Sequence, residues 1–260
     1  MFGQSLLSAF GSAACTTDTD QLFATDVQTT SVATYQFNNA TTSIPSNTYP
    51  GAASNITYAT GKFGDAAVFN GSSSFVTLPD SSSISQINNF SWSFWVKPNG
   101  FVSYGTIATF YSDYRNYVDI RTGGILGFGT TSGNQLNTPT NSITNGVWQH
   151  VALTKSSTAG TAIYINGVSV ATNPSDTGNA SDFTGSNYQQ VMGSYSATGS
   201  DFFPGSIDQF RIFSSVLPQS AITALYNETT TTATYPYVDY QLANPNSIAY
   251  YKMSDATDQL

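Results

Sequence analysis

FSWSFWVKP, residues 90–98, alternates large apolar residues with mostly smaller or polar ones. Every second residue is large and apolar: Phe90, Trp92, Phe94 and Val96. The intervening residues are Ser91, Ser93, Trp95 and Lys97. Successive side chains of a β-strand point to opposite faces of a sheet, so the four apolar side chains share one face. The stretch therefore predicts a strand in a sheet that is buried on at least one side.

The segments around this strand repeat the pattern. VWQHVALTK at 147–155 alternates in the same way, and TAIYINGVSVA at 161–171 predicts a β-hairpin, because Asn166 and Gly167 can adopt the positive φ angles of a two-residue turn. One segment, LPQSAITALYNE at 217–228, predicts a helix, since Pro218 suits a first helical turn. Many short strands with a single helix predict an all-β, antiparallel, two-sheet sandwich.

Composition excludes several classes of protein. Only 8% of the 260 residues are charged, against about 25% in ordinary domains, and Glu228 is the only glutamate. The net charge is −8, and the seven Lys and Arg residues are scattered, which argues against a nucleic-acid partner or an anionic membrane surface. No apolar stretch approaches the roughly 18 to 20 residues that cross a bilayer, so no membrane insertion is expected.

Four stretches in order carry a family resemblance. They are GKFGDAAVFNGSSSFVTLP at 61–79, FSWSFWVKP at 90–98, WQHVALTKSSTAGTAIYINGVSVA at 148–171 and FPGSIDQFRIFSSVLPQSAITALYNE at 203–228. Residues 31–228 resemble the laminin-G-like, concanavalin A-like jelly-roll domain. The resemblance implies an all-β, two-sheet antiparallel jelly-roll sandwich with one short helix at its C-terminal end.

An internal repeat predicts the domain organisation. SVATYQFNNAT at 31–41 recurs as SIAYYKMSDAT at 247–257, with five identical residues in register. We therefore expect a second laminin-G-like module to start at 247–260, after a Thr- and Pro-marked linker at 229–246. Residues 1–30 precede the first module as an N-terminal arm.

The residues argue against catalysis. Retaining glycosidases of this fold use two carboxylates about 5 Å apart. No strand carries such a pair, Glu228 stands alone at a helix end, and we interpret Asp113 and Asp119 as polar groups of a loop. His150, the single histidine, falls on a strand where the family commonly has a structural histidine. A non-enzymatic protein is expected.

Calcium is a possible cofactor, because the resemblance implies that some relatives hold Ca²⁺ at the rim of the sandwich. Asp208 matches the acidic position of the family, and Asn38 and Asn39 in the opening turn would add amide oxygens. The alternative is that backbone hydrogen bonds hold Asp208. Relatives have more Asp in that turn.

Aromatic residues in loops are candidates for sugar binding, because rings pack on the C–H side of a pyranose while polar groups bind its edges. The predicted carbohydrate-binding residues are Tyr104, Tyr111, Tyr114, Arg115, Asn116 and Tyr117. A second aromatic group comprises Tyr188, Tyr195, Phe202 and Phe203. The alternative for both groups is a core or rim role in the sandwich.

Two function classes remain from the sequence. The predicted anchor residues of the arm, which would dock on other subunits, are Leu6, Leu7, Phe10, Leu22 and Phe23. With the low charge and no secretion signal, they favour a bacteriophage virion protein, a tail fibre or a capsid or tail decoration, present as a homo-oligomer or in many copies and presenting a jelly roll to a surface glycan. The alternative is a secreted or cell-surface lectin-like module of a larger bacterial protein.

Overall fold

The computed structural model describes residues 22–23, 31–43, 48–79, 81, 88–110, 116–130, 134–178, 190–196, 199–228 and 230–231. The strands in the first half are β1 (Leu22–Phe23), β2 (Ala33–Tyr35), β3 (Ala52–Ser54), β4 (Thr57–Thr60), β5 (Asp65–Asn70), β6 (Phe75–Leu78), β7 (Phe90–Pro98), β8 (Gly105–Phe110) and β9 (Tyr117–Arg121). The remaining elements are β10 (Ile125–Gly129), β11 (Gln135–Asn137), β12 (Gln149–Ser156), β13 (Gly160–Ile165), β14 (Val168–Asn173), β15 (Gln190–Met192), β16 (Pro204–Phe213), the helix α1 (Gln219–Tyr226) and β17 (Thr230–Thr231).

Two antiparallel sheets form a sandwich, which confirms the predicted fold class. The eight-stranded sheet has the order β14-β13-β12-β7-β16-β5-β4, with β2 paired to β16 as its eighth strand. The seven-stranded sheet has the order β11-β10-β9-β8-β15-β6-β3. The strand pairs within both sheets are antiparallel. The sandwich is therefore an all-β jelly roll with one short helix.

The core between the sheets centres on Trp92 of β7. Its ring meets Phe110 of β8 edge-on at 4.5 Å between centroids, and Phe210 of β16 lies at 6.2 Å. Trp92 is 1% exposed. The alternation at 90–98 thus directs one face of β7 into this core, as predicted. The other face is also covered, since only Lys97 of β7 is exposed.

Helix α1 covers the outer face of the eight-stranded sheet. Ile222 and Leu225 pack with Ala152 of β12 and Phe213 of β16 in a small second core. His150 lies on the same strand as Ala152, fully buried, with Nε2 2.8 Å from Ser93 Oγ. Burial, with a smaller contribution from a nearby arginine, lowers the pKa of His150 to about 3. His150 is therefore a neutral structural residue, as predicted.

The two local predictions near the end of the domain are confirmed. Asn166 and Gly167 join β13 to β14 with φ angles of 50° and 78°. Helix α1 occupies Gln219–Tyr226, and Pro218 precedes its first turn in an extended conformation, with its carbonyl accepting the Ala221 and Ile222 N–H groups. Just after the helix, Glu228 pairs with Arg211 of β16 at 2.8 Å, and both side chains are fully buried.

A short strand before the sandwich pairs with a short strand after it. β1 pairs antiparallel with β17, with Leu22 opposite Thr231 and Phe23 opposite Thr230. The other predicted anchor residues and the predicted second module at 247–260 lie outside the described residues. No helix in the described part of the chain is long and apolar enough to span a membrane.

We predict that Trp92→Ala lowers the free energy of unfolding by about 3–5 kcal/mol, because truncation leaves a large cavity among packed rings. The measurement is equilibrium unfolding in denaturant. Lys97→Ala, on the exposed side of the same strand, is the matched control and should change stability by less than about 0.5 kcal/mol. Equal effects of the two substitutions would contradict the assignment of the two faces of β7.

Candidate functional site

Strand β9 presents a polar row on the outer face of the seven-stranded sheet. Val118 and Ile120 belong to the core, so the alternate residues Tyr117, Asp119 and Arg121 point the other way. Although Asp119 is on the outer face, it is only 2% exposed. The row is therefore a covered polar cluster rather than a solvated strand surface.

Two glycines of β10 make room for this row. Gly127 is paired with Asp119 and Gly129 with Tyr117. A Cβ at Gly129 would lie 2.1 Å from Tyr117 Cε1, so the tyrosine ring lies across the bare backbone of β10. A Cβ at Gly127 would lie 2.6 Å from Asp119 Oδ1 and 2.8 Å from Gln135 Nε2. Any larger residue at either position would displace the side chains above it.

Asp119 and Arg121 form a side-on ion pair above β10. Arg121 Nη2 donates a hydrogen bond to Asp119 Oδ2 at 2.9 Å. Arg121 Nε also lies 2.9 Å from Asp119 Oδ1, but the N–H direction does not make this contact a hydrogen bond. The guanidinium also stacks on Tyr104, with Cζ 4.8 Å from the ring centroid. Tyr104 is 50% exposed. An exposed aromatic ring thus borders a buried ion pair.

Two neighbouring polar groups have capacity left for a ligand. Among the described residues, Gln135 Nε2 of β11 and Thr109 Oγ1 of β8 are buried atoms without a hydrogen-bond partner. Thr109, Tyr117, Gly129 and Gln135 are successive partners in one row across four strands, so their side chains point to the same face. Buried polar groups are usually hydrogen-bonded, so unpartnered ones are candidates for ligand contacts.

Burial controls the ionisation of this cluster. It raises the pKa of Asp119 to about 6, against the lowering effect of Arg121, and the exposed carboxylate of Asp201 raises it further. Burial also raises the pKa of the Tyr117 phenol, to which Asp119 contributes. Arg121, Tyr104 and Tyr195 act electrostatically on the same phenol.

We call Tyr104, Tyr117, Asp119, Arg121 and Gln135 the β9–β11 cluster.

The structure brings together only part of the predicted sugar-binding group. Tyr104 and Tyr117 both belong to the β9–β11 cluster. Asn116 is instead 1% exposed at a positive φ of 48°, and its carbonyl accepts the Phe110 N–H. It is therefore a buried residue at the start of β9 and offers little surface to a ligand. Tyr111, Tyr114 and Arg115 lie outside the described residues.

The interpretation of Asp119 as a loop residue was wrong. It lies in the middle of β9, where pairing with β8 and β10 continues the sheet. Arg121 and Gln135 were not singled out at all. YVDIR at 117–121 does carry the signal, since its apolar residues alternate with Tyr, Asp and Arg. Asp113 lies outside the described residues.

The second aromatic group separates into different environments. Phe203 is 1% exposed and packs on Phe69 at 6.3 Å, so it belongs to the core. Phe202 and Tyr195 are partly exposed, and Tyr188 lies outside the described residues. Phe203 therefore has the core role that was the alternative to sugar binding.

The predicted calcium residues surround one loop, 61–65. Asp208 is fully buried, and its Oδ2 accepts the backbone N–H groups of Lys62 and Phe63, each at 2.9 Å. Asn38 Oδ1 accepts the Asp65 N–H at 3.0 Å, while Asn39 donates its amide to the Asp65 carboxylate. These oxygens already accept N–H groups, which fits backbone hydrogen bonding better than calcium coordination. The calcium site stays a prediction.

The described residues contain no group of three or more His, Cys, Asp or Glu residues that could hold a metal ion. Burial raises the pKa of Asp208 to about 7, although the N–H groups of Phe63 and Lys62 lower it. Asp208 therefore has the properties of a buried carboxyl that ties the loop to β16.

Comparison with known proteins identifies the family. Residues 69–223, more than half of the chain, match the concanavalin A-like lectin/glucanases superfamily, and the chain belongs to that family. Comparison with the curated proteins finds no match.

Solved structures share the fold. Domain 4 of AbnA, a GH43 extracellular arabinanase from Geobacillus stearothermophilus, solved in complex with arabinotriose, is 29% identical with a TM-score of 0.61; 75% of this chain and 97% of that domain are covered. The binding domain of Paraclostridial Mosquitocidal Protein 1 is 14% identical with a TM-score of 0.61, covering 77% of this chain and 52% of that one. The binding domain of botulinum neurotoxin serotype C1 is 20% identical with a TM-score of 0.57, covering 78% and 52%. The chain thus spans about half the length of either toxin domain.

We predict that the protein loses stability as the pH rises from about 4 to about 6. Asp119 ionises near pH 4 in the unfolded chain but near pH 6 in the folded protein. Between these values the folded state keeps a proton that the unfolded state has released, so the free energy of unfolding falls with increasing pH. Asp119→Asn should remove on the order of 1–3 kcal/mol of this pH dependence in denaturant unfolding.

The matched control is Asp201→Asn, because Asp201 is exposed. It should leave most of the pH dependence in place. Asp208, whose raised pKa acts in the same direction, contributes equally to both proteins. Parallel pH profiles for the wild type and Asp119→Asn would contradict the burial of Asp119.

Proposed function

We propose that this domain binds carbohydrate at the β9–β11 cluster on the outer face of the seven-stranded sheet. The observation that carries the proposal is the convergence of Asp119, Arg121 and Gln135 over Gly127. Tyr104 and Tyr117 border the same place. Sugar sites combine aromatic faces for C–H groups with a few fixed polar groups for hydroxyls. The cluster supplies both.

The similar structures support a binding role. Domain 4 of AbnA, at 29% identity over 75% of this chain and 97% of that domain, was solved with arabinotriose. The two toxin domains fall below 25% identity, so they support the fold alone. We therefore propose a glycan partner on the strength of one similar domain and of the chemistry of the cluster.

The arrangement suits binding better than hydrolysis. Glycosidases place two carboxyl groups on opposite sides of the scissile bond, one as an acid. In this cluster Asp119 is paired with Arg121, whose charge offsets only part of the rise in the Asp119 pKa that burial causes. Asp201 is the neighbouring carboxylate, and it is exposed. We propose a non-enzymatic module, and we expect no release of reducing sugar from any glycan it binds.

We further propose that the module is a structural or adhesion part of a virion, as a tail fibre or a capsid or tail decoration. The low charge and the apolar residues of the arm support this setting. In this proposal residues 1–30 dock on other virion subunits, and many copies give avidity for a surface glycan. Genes for portal, capsid or tail proteins beside its gene would support the setting, and genes for secreted hydrolases would favour the alternative of a secreted module.

We predict that Tyr117→Ala weakens glycan binding by about 10- to 100-fold, because the variant loses the ring that lies across Gly129. The measurement is titration calorimetry of the full chain with the best ligand from an oligosaccharide array that includes arabinotriose. Tyr117→Phe keeps the ring and should retain most of the affinity.

The matched control is Tyr226→Ala on helix α1, which covers the other sheet and leaves Tyr226 36% exposed. This variant should bind as the wild type does. If Tyr226→Ala loses binding while Tyr117→Ala keeps it, the proposed site is wrong.

A further inference from the structure

We infer that the β9–β11 cluster selects neutral glycans and rejects acidic ones, because Asp119 occupies the guanidinium of Arg121. This inference rests on the proposed carbohydrate function and adds the class of ligand. An arginine beside aromatic rings commonly binds a carboxylate or sulfate, to which it donates two parallel N–H hydrogen bonds. Here Asp119 already lies along that edge of Arg121, with one hydrogen bond from Nη2 and with Nε 2.9 Å from Oδ1.

The geometry of the ion pair shows which parts of the Arg121 guanidinium are already in contact. Arg121 Nη2 and Nε lie 2.9 Å from Asp119 Oδ2 and Oδ1, respectively. The face of the guanidinium lies against Tyr104. The Nη2–Nε edge and one face of the guanidinium are thus engaged, so an acidic sugar would have to displace Asp119 to obtain a two-point contact.

The charges around the pair also disfavour an anion. Asp119 and Arg121 cancel each other, while Asp201 adds a negative charge near enough to raise the pKa of Asp119. The whole protein carries a net charge of −8. A carboxylate or sulfate entering the cluster would meet a negative potential, because Asp119 already neutralises Arg121.

The remaining polar groups suit hydroxyls. The buried Gln135 amide nitrogen can donate, and the Thr109 hydroxyl can either donate or accept. The Asp119 carboxylate has lone pairs beyond those facing Arg121, and an ionised acceptor makes strong hydrogen bonds with hydroxyl donors. Sugar hydroxyls, each both donor and acceptor, match this mixed set, whereas a carboxylate or sulfate group offers acceptors only.

A substitution at Asp119 therefore should invert the selectivity. Asp119→Asn keeps the shape of the side chain but removes its charge, which releases Arg121 as an uncompensated cation beside Tyr104. The variant should bind neutral glycans about 10-fold or more weakly, because it loses hydrogen bonds to a charged acceptor. It should gain affinity for acidic glycans.

The experiment compares the wild type, Asp119→Asn and Arg121→Gln on one array at pH 7.5, using the full chain. The array holds arabinotriose and two pairs of a neutral and an acidic sugar: lactose with 3′-sialyllactose, and galactotriose with trigalacturonic acid. Melting curves confirm that each protein is folded. Arg121→Gln lacks the cation, so it should gain no acidic binding, and it keeps the comparison valid if Asp119→Asn does not fold.

The expected result is that the wild type binds a neutral glycan at least about 10-fold tighter than its acidic counterpart, and that Asp119→Asn alone gains acidic binding. Wild-type binding to an acidic glycan as tight as to its neutral counterpart would overturn the inference and leave the carbohydrate function standing. A folded wild type that binds no glycan on an enlarged array would overturn both.

Discussion

The buried contact between Asp119 and Arg121 above Gly127 is the constraint on which the proposed site depends. A carboxylate at 2% exposure costs free energy unless a partner compensates for its lost hydration. Arg121 supplies part of that compensation, and the missing side chain at Gly127 supplies the space. Removing either partner would leave a buried charge on the sheet. The pair therefore positions the aromatic and amide groups around it as well as itself.

The protein uses its few charges in the same way elsewhere. The three ion pairs among the described residues join Asp119 to Arg121, Lys155 to Asp176, and Arg211 to Glu228. In each pair at least one side chain is no more than 3% exposed. With 8% charged residues, charge here fixes loops and strand ends in place, while Ser, Thr and Asn supply the polar surface. Because isolated buried charges are costly, such pairs restrict the chain to the arrangement that satisfies them.

The fold could be predicted from sequence because its signals are local. The alternation at 90–98, the Asn166–Gly167 turn and the helix after Pro218 each depend on neighbouring residues, and the structure has all three. The site could be predicted only in part, because it assembles from β8, β9, β10 and β11 across the sheet. Tyr104 and Tyr117 were found as aromatics near a turn. Asp119 was misplaced because the surrounding Tyr, Arg and Asn residues resemble a loop.

Nuclear magnetic resonance of the full chain during titration with its best oligosaccharide tests most directly whether the outer face of the seven-stranded sheet is the binding surface. Backbone shift changes should concentrate on β9 to β11, with the largest at Tyr117, Asp119 and Gln135. The side-chain amide of Gln135 should shift with them, since its Nε2 lacks a partner among the described residues. Shift changes confined to helix α1 or to the 61–65 loop, with β9 to β11 unmoved, would contradict the account.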